Sequence, residues 1–307
     1  MNIRYLPYSE IDRTKWDNCI RNAKNRLLYA HSFYLDEMAA NWDGIVLNDY
    51  EAVMPLSWKR KWGIKYLYQP AFTQQEGIYS AQQISREIQD AFVALVCKNF
   101  RFAEITLNYE NNFPASNNGI EITQRNNYTL NLNRPYEALY DNYDAAFTKS
   151  LRRIRKFDLM YASSINYQNT INLYKYLYGS RLPFFSNNSY KKFERVCDKL
   201  FRENGVVVRH ARTPNNDLLA SVVLLRDENR LYNMISCITT KGKTLEANYF
   251  LYDQIIQEFS NQPIIFDFEG SDIEGIANFY KKFNPQNQPY PFLRYNNLPA
   301  LIKKIKQ

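Results

Sequence analysis

The sequence predicts an α/β protein made of two similar units in tandem. Its 307 residues exceed the usual length of one domain and are enough for two. The same order of elements is predicted twice: two helices, a meander of three strands, a loop with a glycine, a long helix and a strand. Gly77 and Gly242 precede the long helix in the first and second copies. The repeat predicts a boundary near residues 131–135, with units of residues 1–134 and 135–307.

The first copy shows its elements through apolar periodicity and turn residues. Its predicted helices and strands are helices 11–23 and 32–41, strands 44–47, 51–58 and 65–68, helix 81–99 and strand 103–107. The long helix carries apolar residues at helical spacing, namely Ile84, Ile88, Phe92, Leu95 and Val96. Residues 111–127 are rich in asparagine and show no clear periodicity, so a surface loop is predicted there.

The second copy repeats this order after a basic helical segment at residues 136–157. Its predicted elements are helices 167–178 and 190–203, strands 206–211, 218–225 and 230–235, loop 239–244, helix 245–260 and strand 264–268. A last helix is predicted at residues 272–283.

Charge and composition restrict the class of function. The net charge of +8 favours acidic partners, such as nucleotides, phosphorylated cofactors, nucleic acid or an anionic membrane. The basic residues are spread along the chain apart from residues 149–156 and the tail 303–306, which is expected to be a solvated end. This spread argues against a dedicated nucleic-acid groove.

The sulfur and imidazole side chains give no sign of a metal centre. The four cysteines are far apart without a Cys-x-x-Cys pair, and the two histidines are isolated, so no metal is expected. The first residues lack the basic start and the following apolar run that are typical of a signal peptide. No apolar run in the sequence is long enough for a transmembrane helix. We therefore expect a soluble, cytoplasmic protein. Its oligomeric state is not indicated.

A candidate anion site lies in the loop before the second long helix. Gly242 stands between Lys241 and Lys243, and Thr244 can cap the following helix, whose first turn contains Asn248. A helix N-terminus offers free N–H groups and partial positive charge, which attract phosphate. An ordinary exposed loop is the alternative interpretation of the same residues.

Candidate carboxylates follow the strand at residues 264–268. Asp267 and Glu269 stand at its end with Gly270, where ligands bind in many α/β proteins. Either carboxylate can accept a proton from an attacking amine. Alternatively both are structural: Asp267 then bonds loop amides, and Ser271 or Asp272 caps the next helix.

Tyr280 is the candidate general acid. It lies on the predicted last helix, on one face with Phe279 and Phe283, and it is followed by Lys281 and Lys282. Its hydroxyl can protonate a leaving group, and the lysines can meet phosphate or a developing oxyanion. A core tyrosine is the other interpretation.

A basic segment precedes the second copy. Residues 149–156 include Arg152 and Arg155, which can hold an acidic acceptor or a tRNA backbone. A solvated helix face is the alternative, and the absence of interleaved aromatic residues argues against sequence-specific RNA recognition.

These motifs together resemble the GNAT acyltransferase superfamily. The run from Ala277 to Phe283 is similar to the end of that fold, and the tandem order, the 151–156 basic run and the 267–270 strand end are similar to Fem-type peptidoglycan aminoacyl transferases. The resemblance covers residues 136–300 and, more loosely, the first half. It implies two tandem GNAT-like units, each with a mixed, mostly antiparallel sheet flanked by helices.

The resemblance also implies roles for particular residues. The second unit would bind the donor and carry the chemistry, with the acceptor in a cleft between the units. Tyr280 would be the general acid, and Lys281 or Lys282 would stabilise the transition state. The function implied is acyl or aminoacyl transfer from a phosphorylated donor, a coenzyme A thioester or an aminoacyl-tRNA, to an amine acceptor.

The sequence departs from the family pattern at the donor loop. The GNAT pyrophosphate motif (R/Q)-x-x-G-x-(G/A) is matched by Gly242 alone within residues 239–247, and Phe283-Asn284 replaces the usual Gly-Phe. Coenzyme A and aminoacyl-tRNA therefore both remain candidate donors. A non-catalytic ligand-binding protein on a degenerate acyltransferase fold is the alternative function.

Overall fold

The computed structural model describes residues 1–113, 116–117, 119–182, 185–270 and 272–299. The chain divides into two compact units, each with its own sheet and core. Unit 1 consists of Met1–Arg125 and Pro289–Gln307, and unit 2 consists of Asn126–Gln288. The expected cap Ser271 and the expected solvated tail at 303–306 lie outside the described residues.

Unit 1 contains three helices and nine strands within the described residues. The helices are α1 (Arg13–Asn22), α2 (Ser32–Met38) and α3 (Arg86–Asn99). The strands are β1 (Ile3–Leu6), β2 (Asn41–Leu47), β3 (Ala52–Lys61), β4 (Ile64–Tyr68), β5 (Tyr79–Ser80), β6 (Phe102–Thr106), β7 (Ser116–Asn117), β8 (Ile120–Arg125) and β16 (Tyr290–Asn296).

The sheet of unit 1 is mostly antiparallel. Its strand order is β1-β2-β3-β4-β6-β16-β8-β7, and β5 pairs with β3. The one parallel pair described is β4 with β6, in which Leu67 faces Ala103 and Tyr68 faces Glu104. The apolar face of α3 packs on this sheet, with Phe92 and Val96 fully buried against strand residues such as Leu56 and Ile105.

Unit 2 has the elements of the second copy. Its helices are α4 (Tyr136–Tyr140), α5 (Ala145–Ile154), α6 (Tyr167–Tyr178), α7 (Asn187–Phe201), α8 (Thr240–Thr244), α9 (Ala247–Phe259) and α10 (Glu274–Lys281). Its strands are β9 (Tyr128–Asn131), β10 (Met160–Ser164), β11 (Val206–Arg212), β12 (Leu218–Arg226), β13 (Arg230–Ile238), β14 (Ile265–Asp267) and β15 (Gln286–Asn287).

The sheet of unit 2 repeats the plan of unit 1. Its strand order is β10-β11-β12-β13-β14-β9-β15, and β13 with β14 is the parallel pair described. In both sheets a long helix, α3 or α9, joins the strands of the parallel pair, as such a pair requires a crossover. The predicted fold class, two tandem units with mixed and mostly antiparallel sheets flanked by helices, is confirmed.

The sheets explain why the structural division differs from the expected boundary at residue 134. Strand β9 lies beside β14 and belongs to unit 2, so the chain passes into unit 2 after Arg125. Strand β16 lies between β6 and β8, so the last segment of the chain returns to unit 1. The sheet of unit 1 is thus completed by a strand from beyond the segment that forms most of it, whereas the described strands of the unit 2 sheet all lie within Asn126–Gln288.

Several elements differ from the sequence prediction. The predicted loop at 111–127 contains β8, in which Ile120 and Ile122 alternate with polar residues and pack on the unit 1 core. The predicted loop at 239–244 contains α8, and α9 starts at Ala247. Strands β1, β9, β10 and β16 were not predicted. They are short or interrupted by polar residues, and strand pairing stabilises them.

Candidate functional site

The candidate site lies in unit 2, where β13 and β14 part. Their parallel pairing begins at Arg230 and Ile265 and ends with Tyr232 opposite Asp267. Strand β14 ends there, whereas β13 continues to Ile238. The last six residues of β13 therefore extend past the end of β14, while β12 continues to pair with them on the other side.

A β-bulge in β13 changes the direction of its side chains at this point. Val223 of β12 faces Ile235, but the next residue, Leu224, faces Asn233, so Met234 is the extra residue. Bulges commonly change the direction of side chains beside functional sites. Here the bulge accompanies Asn233, a buried polar residue in a mostly apolar strand.

Asn233 contacts the candidate general acid. Its side-chain Nδ2 donates a hydrogen bond to the Tyr280 hydroxyl at 3.4 Å. The Oδ1 atom of Asn233 is buried and has no hydrogen-bond partner among the residues that the structure describes. A buried amide oxygen without a partner is costly, so this position suits a donor from a bound ligand.

Tyr280 is largely buried, with 8% of its surface exposed. Its ring packs on Phe268, with 4.8 Å between ring centroids, and lies near Tyr252 and Tyr128. Burial raises the pKa of Tyr280 well above its ordinary value, and the charges of Tyr252 and Glu269 add to this increase. The hydroxyl is therefore protonated at neutral pH, which a general acid requires.

A second buried tyrosine shares the same surroundings. Burial raises the pKa of Tyr252, while hydrogen bonding to Ser236 and Asn233 opposes the increase. On the other side, the hydroxyl of Tyr178 accepts a hydrogen bond from the Ile238 N–H at 3.3 Å. The parted strands are therefore lined by amide and phenol groups.

Asp267 has a structural role at the last parallel pair. Its carboxylate forms an ion pair with Arg230, and both side chains are almost fully buried. Asn127 donates to Asp267 Oδ2 at 3.3 Å, and the Glu269 N–H donates to Oδ1 at 2.9 Å. Because these donors occupy the carboxylate, the structure supports the structural interpretation of Asp267 over that of a proton acceptor.

Glu269 lies in the turn after β14. Its backbone has φ of 63°, and Gly270 follows with φ of 58°. Two consecutive residues in the left-handed region turn the chain sharply away from the strand. The Glu269 side chain is partly exposed and close enough to influence the pKa of Tyr280. Of the two predicted carboxylates, Glu269 is therefore the one that bulk solvent can reach.

The predicted anion loop is a helical turn. The side chain of Thr239 accepts a hydrogen bond from the Gly242 N–H at 3.0 Å, and its carbonyl accepts one from the Lys243 N–H at 2.9 Å. The Lys243 N–H is therefore used within α8 and is not free to bind a phosphate. Thr244 is the last residue of α8 and does not cap α9.

Gly242 is required by close packing. A Cβ atom at this position would lie 2.2 Å from the Leu219 carbonyl oxygen, so another side chain cannot fit without movement of the backbone. Of the two neighbouring lysines, Lys241 forms an ion pair with Asp217 at 2.7 Å, and Lys243 is exposed. Among the predicted anion-binding groups of this loop, the exposed Lys243 side chain is therefore more accessible to an anion than the paired Lys241 or the loop amides.

The first turn of α9 contacts both α5 and α10. Asn248, in the first turn, has a buried Oδ1 without a hydrogen-bond partner in the described part of the chain. The next residue, Tyr249, stacks on Phe279 of α10 with 5.4 Å between ring centroids and contacts Phe147 of α5. The predicted donor residue Asn248 and the helix of Tyr280 are thus brought together.

The basic residues take different positions. Lys281 is exposed with its ammonium 5.9 Å from the Tyr128 ring centre, and Lys282 lies 5.8 Å from that of Tyr249. Arg152 and Arg155 are exposed on and just after α5, whereas their neighbour Arg153 forms the ion pair with Glu246.

The polar groups of β13, α6 and α9 near Tyr280 were not predicted from the sequence. Arg230, Asn233 and Ser236 interrupt an apolar strand, and that interruption was the available signal. Tyr252 and Tyr178 carried no signal that separated them from the other tyrosines.

The described residues contain neither a cluster suited to a metal ion nor a helix suited to a membrane. No cluster of three or more histidine, cysteine, aspartate or glutamate side chains in those parts of the chain could hold a metal ion. None of the helices described is both long and apolar enough to cross a membrane.

Comparison with known proteins identifies the fold. No protein-family model and no curated protein matches the sequence. Among solved structures, the chain is similar to FemX, with a TM-score of 0.68, 11% identity and coverage of 100% of both chains. It is also similar to the C-terminal domain of a proposed lysylphosphatidylglycerol synthetase from Agrobacterium fabrum, with a TM-score of 0.56, 10% identity and coverage of 96% of this chain and 94% of that one.

A third similar structure is a tandem GNAT protein from the clavulanic acid biosynthesis pathway, with a TM-score of 0.52, 10% identity and coverage of 97% of this chain and 100% of that one. At these identities the similarity concerns the fold alone. The chain has the tandem GNAT-like fold of Fem-type structures, as the sequence resemblance implied.

Proposed function

We propose that the protein is an acyl- or aminoacyltransferase, and that transfer takes place in unit 2 where β13 and β14 part. The donor is an activated, phosphorylated acyl carrier, either an acyl coenzyme A or an aminoacyl-tRNA, and the acceptor is an amine. The observation that carries the proposal is the Tyr280 hydroxyl next to Asn233, whose Oδ1 lacks a partner among the described residues. The similarity to FemX and to a tandem GNAT protein supports it at the level of fold.

The chemistry divides between an acid and a base. The acceptor nitrogen attacks the acyl carbonyl carbon, a C–N bond forms, and the bond from that carbon to the leaving sulfur or oxygen breaks. Tyr280 supplies the proton that the leaving atom requires. The nitrogen loses a proton, and the partly exposed Glu269 carboxylate accepts it. Asp267 holds Arg230 and takes no part in these steps.

The basic residues have supporting roles in this proposal. Lys281 and Lys282 follow Tyr280 on or next to α10 and stabilise negative charge on the donor or the oxyanion. Asn248 and the side chains of Lys241 and Lys243 contact the donor, while Gly242 and Thr244 maintain α8. Arg152 and Arg155 meet an acidic acceptor or the backbone of a tRNA.

The test is a transfer assay with Tyr280→Phe. Acyl transfer to a panel of amines is measured from coenzyme A thioesters and from aminoacyl-tRNA. Since the variant keeps the ring and loses one 3.4 Å hydrogen bond, we expect a rate reduced about 10²–10⁴-fold, the usual general-acid contribution, with an almost unchanged melting temperature. An unchanged transfer rate would reject the role of Tyr280.

A second candidate function is a non-catalytic ligand-binding protein on the same fold. It is favoured by the burial of Tyr280 and by the loss of the loop amides of residues 242 and 243 to α8. Donor binding without detectable transfer from any donor would support this candidate and reject the enzyme.

A further inference from the structure

The hairpin formed by β3 and β4 carries a basic segment that the sequence analysis did not single out. Residues 59–65 read Lys-Arg-Lys-Trp-Gly-Ile-Lys. The strands pair from Trp58 with Leu67 to Lys61 with Ile64, so Trp62 and Gly63 form a two-residue turn. Four cations thus flank an apolar tip of tryptophan, glycine and isoleucine.

The turn places tryptophan in an unfavourable conformation. Trp62 has φ of 51° and Gly63 has φ of 76°. A hairpin turn with positive φ at both central residues strongly prefers Asn-Gly, because bulky side chains are rarely found in the left-handed region. Trp62 is nevertheless 64% exposed, whereas Trp16 and Trp42 are almost fully buried. Neither backbone preference nor core packing accounts for tryptophan at this position.

The charges of the hairpin are also unfavourable for its stability. Arg60 lies directly opposite Lys65, and like charges in this arrangement destabilise a strand pair. The Lys65 ammonium is held by Asp43, and the Lys59 ammonium lies 4.0 Å from the Tyr68 ring centre. Arg60 and Lys61 are exposed, and neither forms an ion pair with a carboxylate in the described parts of the chain. The Lys61 ammonium lies 4.7 Å from the Trp62 ring centre, which leaves its charge without a counter-ion among the described residues. Both charges can therefore meet an anionic partner.

We infer that this hairpin binds the surface of an anionic lipid bilayer. Tryptophan is enriched where membranes meet water, because its ring is apolar and its N–H is polar. Cations next to the inserted residues are attracted to acidic headgroups. An apolar tip between cations fits this interface. A nucleic acid would instead be bound by cations spread along its phosphate backbone. The inference goes beyond the proposed function and does not depend on it.

The test measures binding of the full chain to vesicles of phosphatidylglycerol mixed with phosphatidylcholine, and to pure phosphatidylcholine vesicles. We expect binding to the anionic vesicles alone, with a blue shift of tryptophan emission as Trp62 enters the interface. Trp62→Asn should abolish the blue shift and weaken binding at least ten-fold. Because asparagine suits this turn, the melting temperature of that variant should not fall.

A second variant tests the charges with a matched control. Arg60→Gln with Lys61→Gln should weaken vesicle binding roughly thirty-fold, since each cation near the surface contributes about five-fold. Lys24→Gln with Lys98→Gln removes the same charge from other exposed positions of unit 1 and should have little effect. Equal losses in the two double variants, an unchanged affinity of Trp62→Asn, or Trp62-dependent binding of RNA in place of vesicles would overturn the inference.

Discussion

The two units differ most at the end of their parallel strand pair. In both, that pair ends with a tyrosine opposite an acid: Tyr232 with Asp267 in unit 2 and Tyr68 with Glu104 in unit 1. In unit 2, Asp267 is buried with Arg230. In unit 1, Glu104 is about half exposed and lies 3.4 Å from Arg294. The same position is therefore a buried ionic anchor in one unit and a surface pair in the other.

The chain of unit 1 also fills the space next to its parted strands. The N–H of Thr106 donates to the Gln69 side chain at 2.9 Å, and its carbonyl accepts from the Glu76 N–H at 3.0 Å. The Gln75 side chain accepts from the Tyr109 N–H at 2.9 Å. Residues 69–80 thus occupy the edge of β6, whereas the corresponding region of unit 2 presents Asn233 and Tyr280. The same fold occurs twice, and we place the chemistry in unit 2 alone.

The largest expected effect concerns the buried ion pair of Asp267 with Arg230. Asp267→Asn leaves Arg230 buried without its counter-charge, so we expect the free energy of unfolding to fall by about 3–5 kcal/mol. Glu104→Gln is the matched change in unit 1, and its cost should be below about 1 kcal/mol because the pair is exposed. Urea unfolding of both variants measures the difference. Equal costs would show that the two positions are equivalent.

The second prediction concerns Glu76, which is fully buried in unit 1 with a hydrogen bond from Ser57. Burial raises the pKa of Glu76 from 4.5 to about 8. Between these values the unfolded chain loses the proton and the folded chain keeps it. The free energy of unfolding should therefore fall as the pH rises through this range, by about 1.4 kcal/mol per pH unit, and Glu76→Gln should remove that slope.

Asp253 of unit 2 provides the comparison for Glu76. Burial raises its pKa from 3.8 to about 6, although the hydroxyl of Tyr136 donates to it at 2.9 Å and opposes the increase. The free energy of unfolding should therefore also fall with rising pH between about 4 and 6 because of Asp253, and Asp253→Asn should remove this dependence. Urea unfolding at several pH values measures how the free energy of unfolding changes with pH in both ranges. If this change were the same in Glu76→Gln as in the unmodified protein, Glu76 would not be buried as a neutral acid.

The smallest expected effect concerns the lysines of α8. Because Lys241 is paired with Asp217 and Lys243 is exposed, Lys243→Ala should weaken donor binding more than Lys241→Ala, by a few-fold at low salt. Lys24→Ala is the control in unit 1, since Lys24 lines a cavity with Ser85 at the start of α3. Titration calorimetry at low and high salt measures the affinity of each variant for the accepted donor. If unit 2 has no anion site, both lysine variants should bind the donor as tightly as the unmodified protein at every salt concentration.

The longer elements could be predicted from local signals. Helix α3 has an apolar face, and Ser85 caps it by accepting a hydrogen bond from the Ile88 N–H. Strand β12 is an almost continuous apolar run, as expected for a strand covered on both faces. Such elements carry their structure in their own residues, and the repeat made the fold class predictable.

The site could be predicted only in part. Asn248 and Tyr280 were proposed from motifs, but whether Tyr280 is buried depends on Phe268 and Tyr252, which are distant in sequence. The ion pair of Asp267 with Arg230 forms only when β13 and β14 pair. Similarly, α8 forms because Thr239 caps it and Gly242 fits against Leu219. Tertiary contacts decided these features, and local patterns do not report them.

The most direct test is hydrogen exchange of the full chain with and without donor, using acetyl coenzyme A and a 3′-aminoacylated RNA minihelix as probes. We expect one probe to slow exchange at residues 233–238 and 247–250 of unit 2 and to leave exchange at residues 66–80 of unit 1 unchanged. Slower exchange confined to residues 66–80, or no change at residues 233–238 with either probe, would contradict the assignment of the donor site to unit 2.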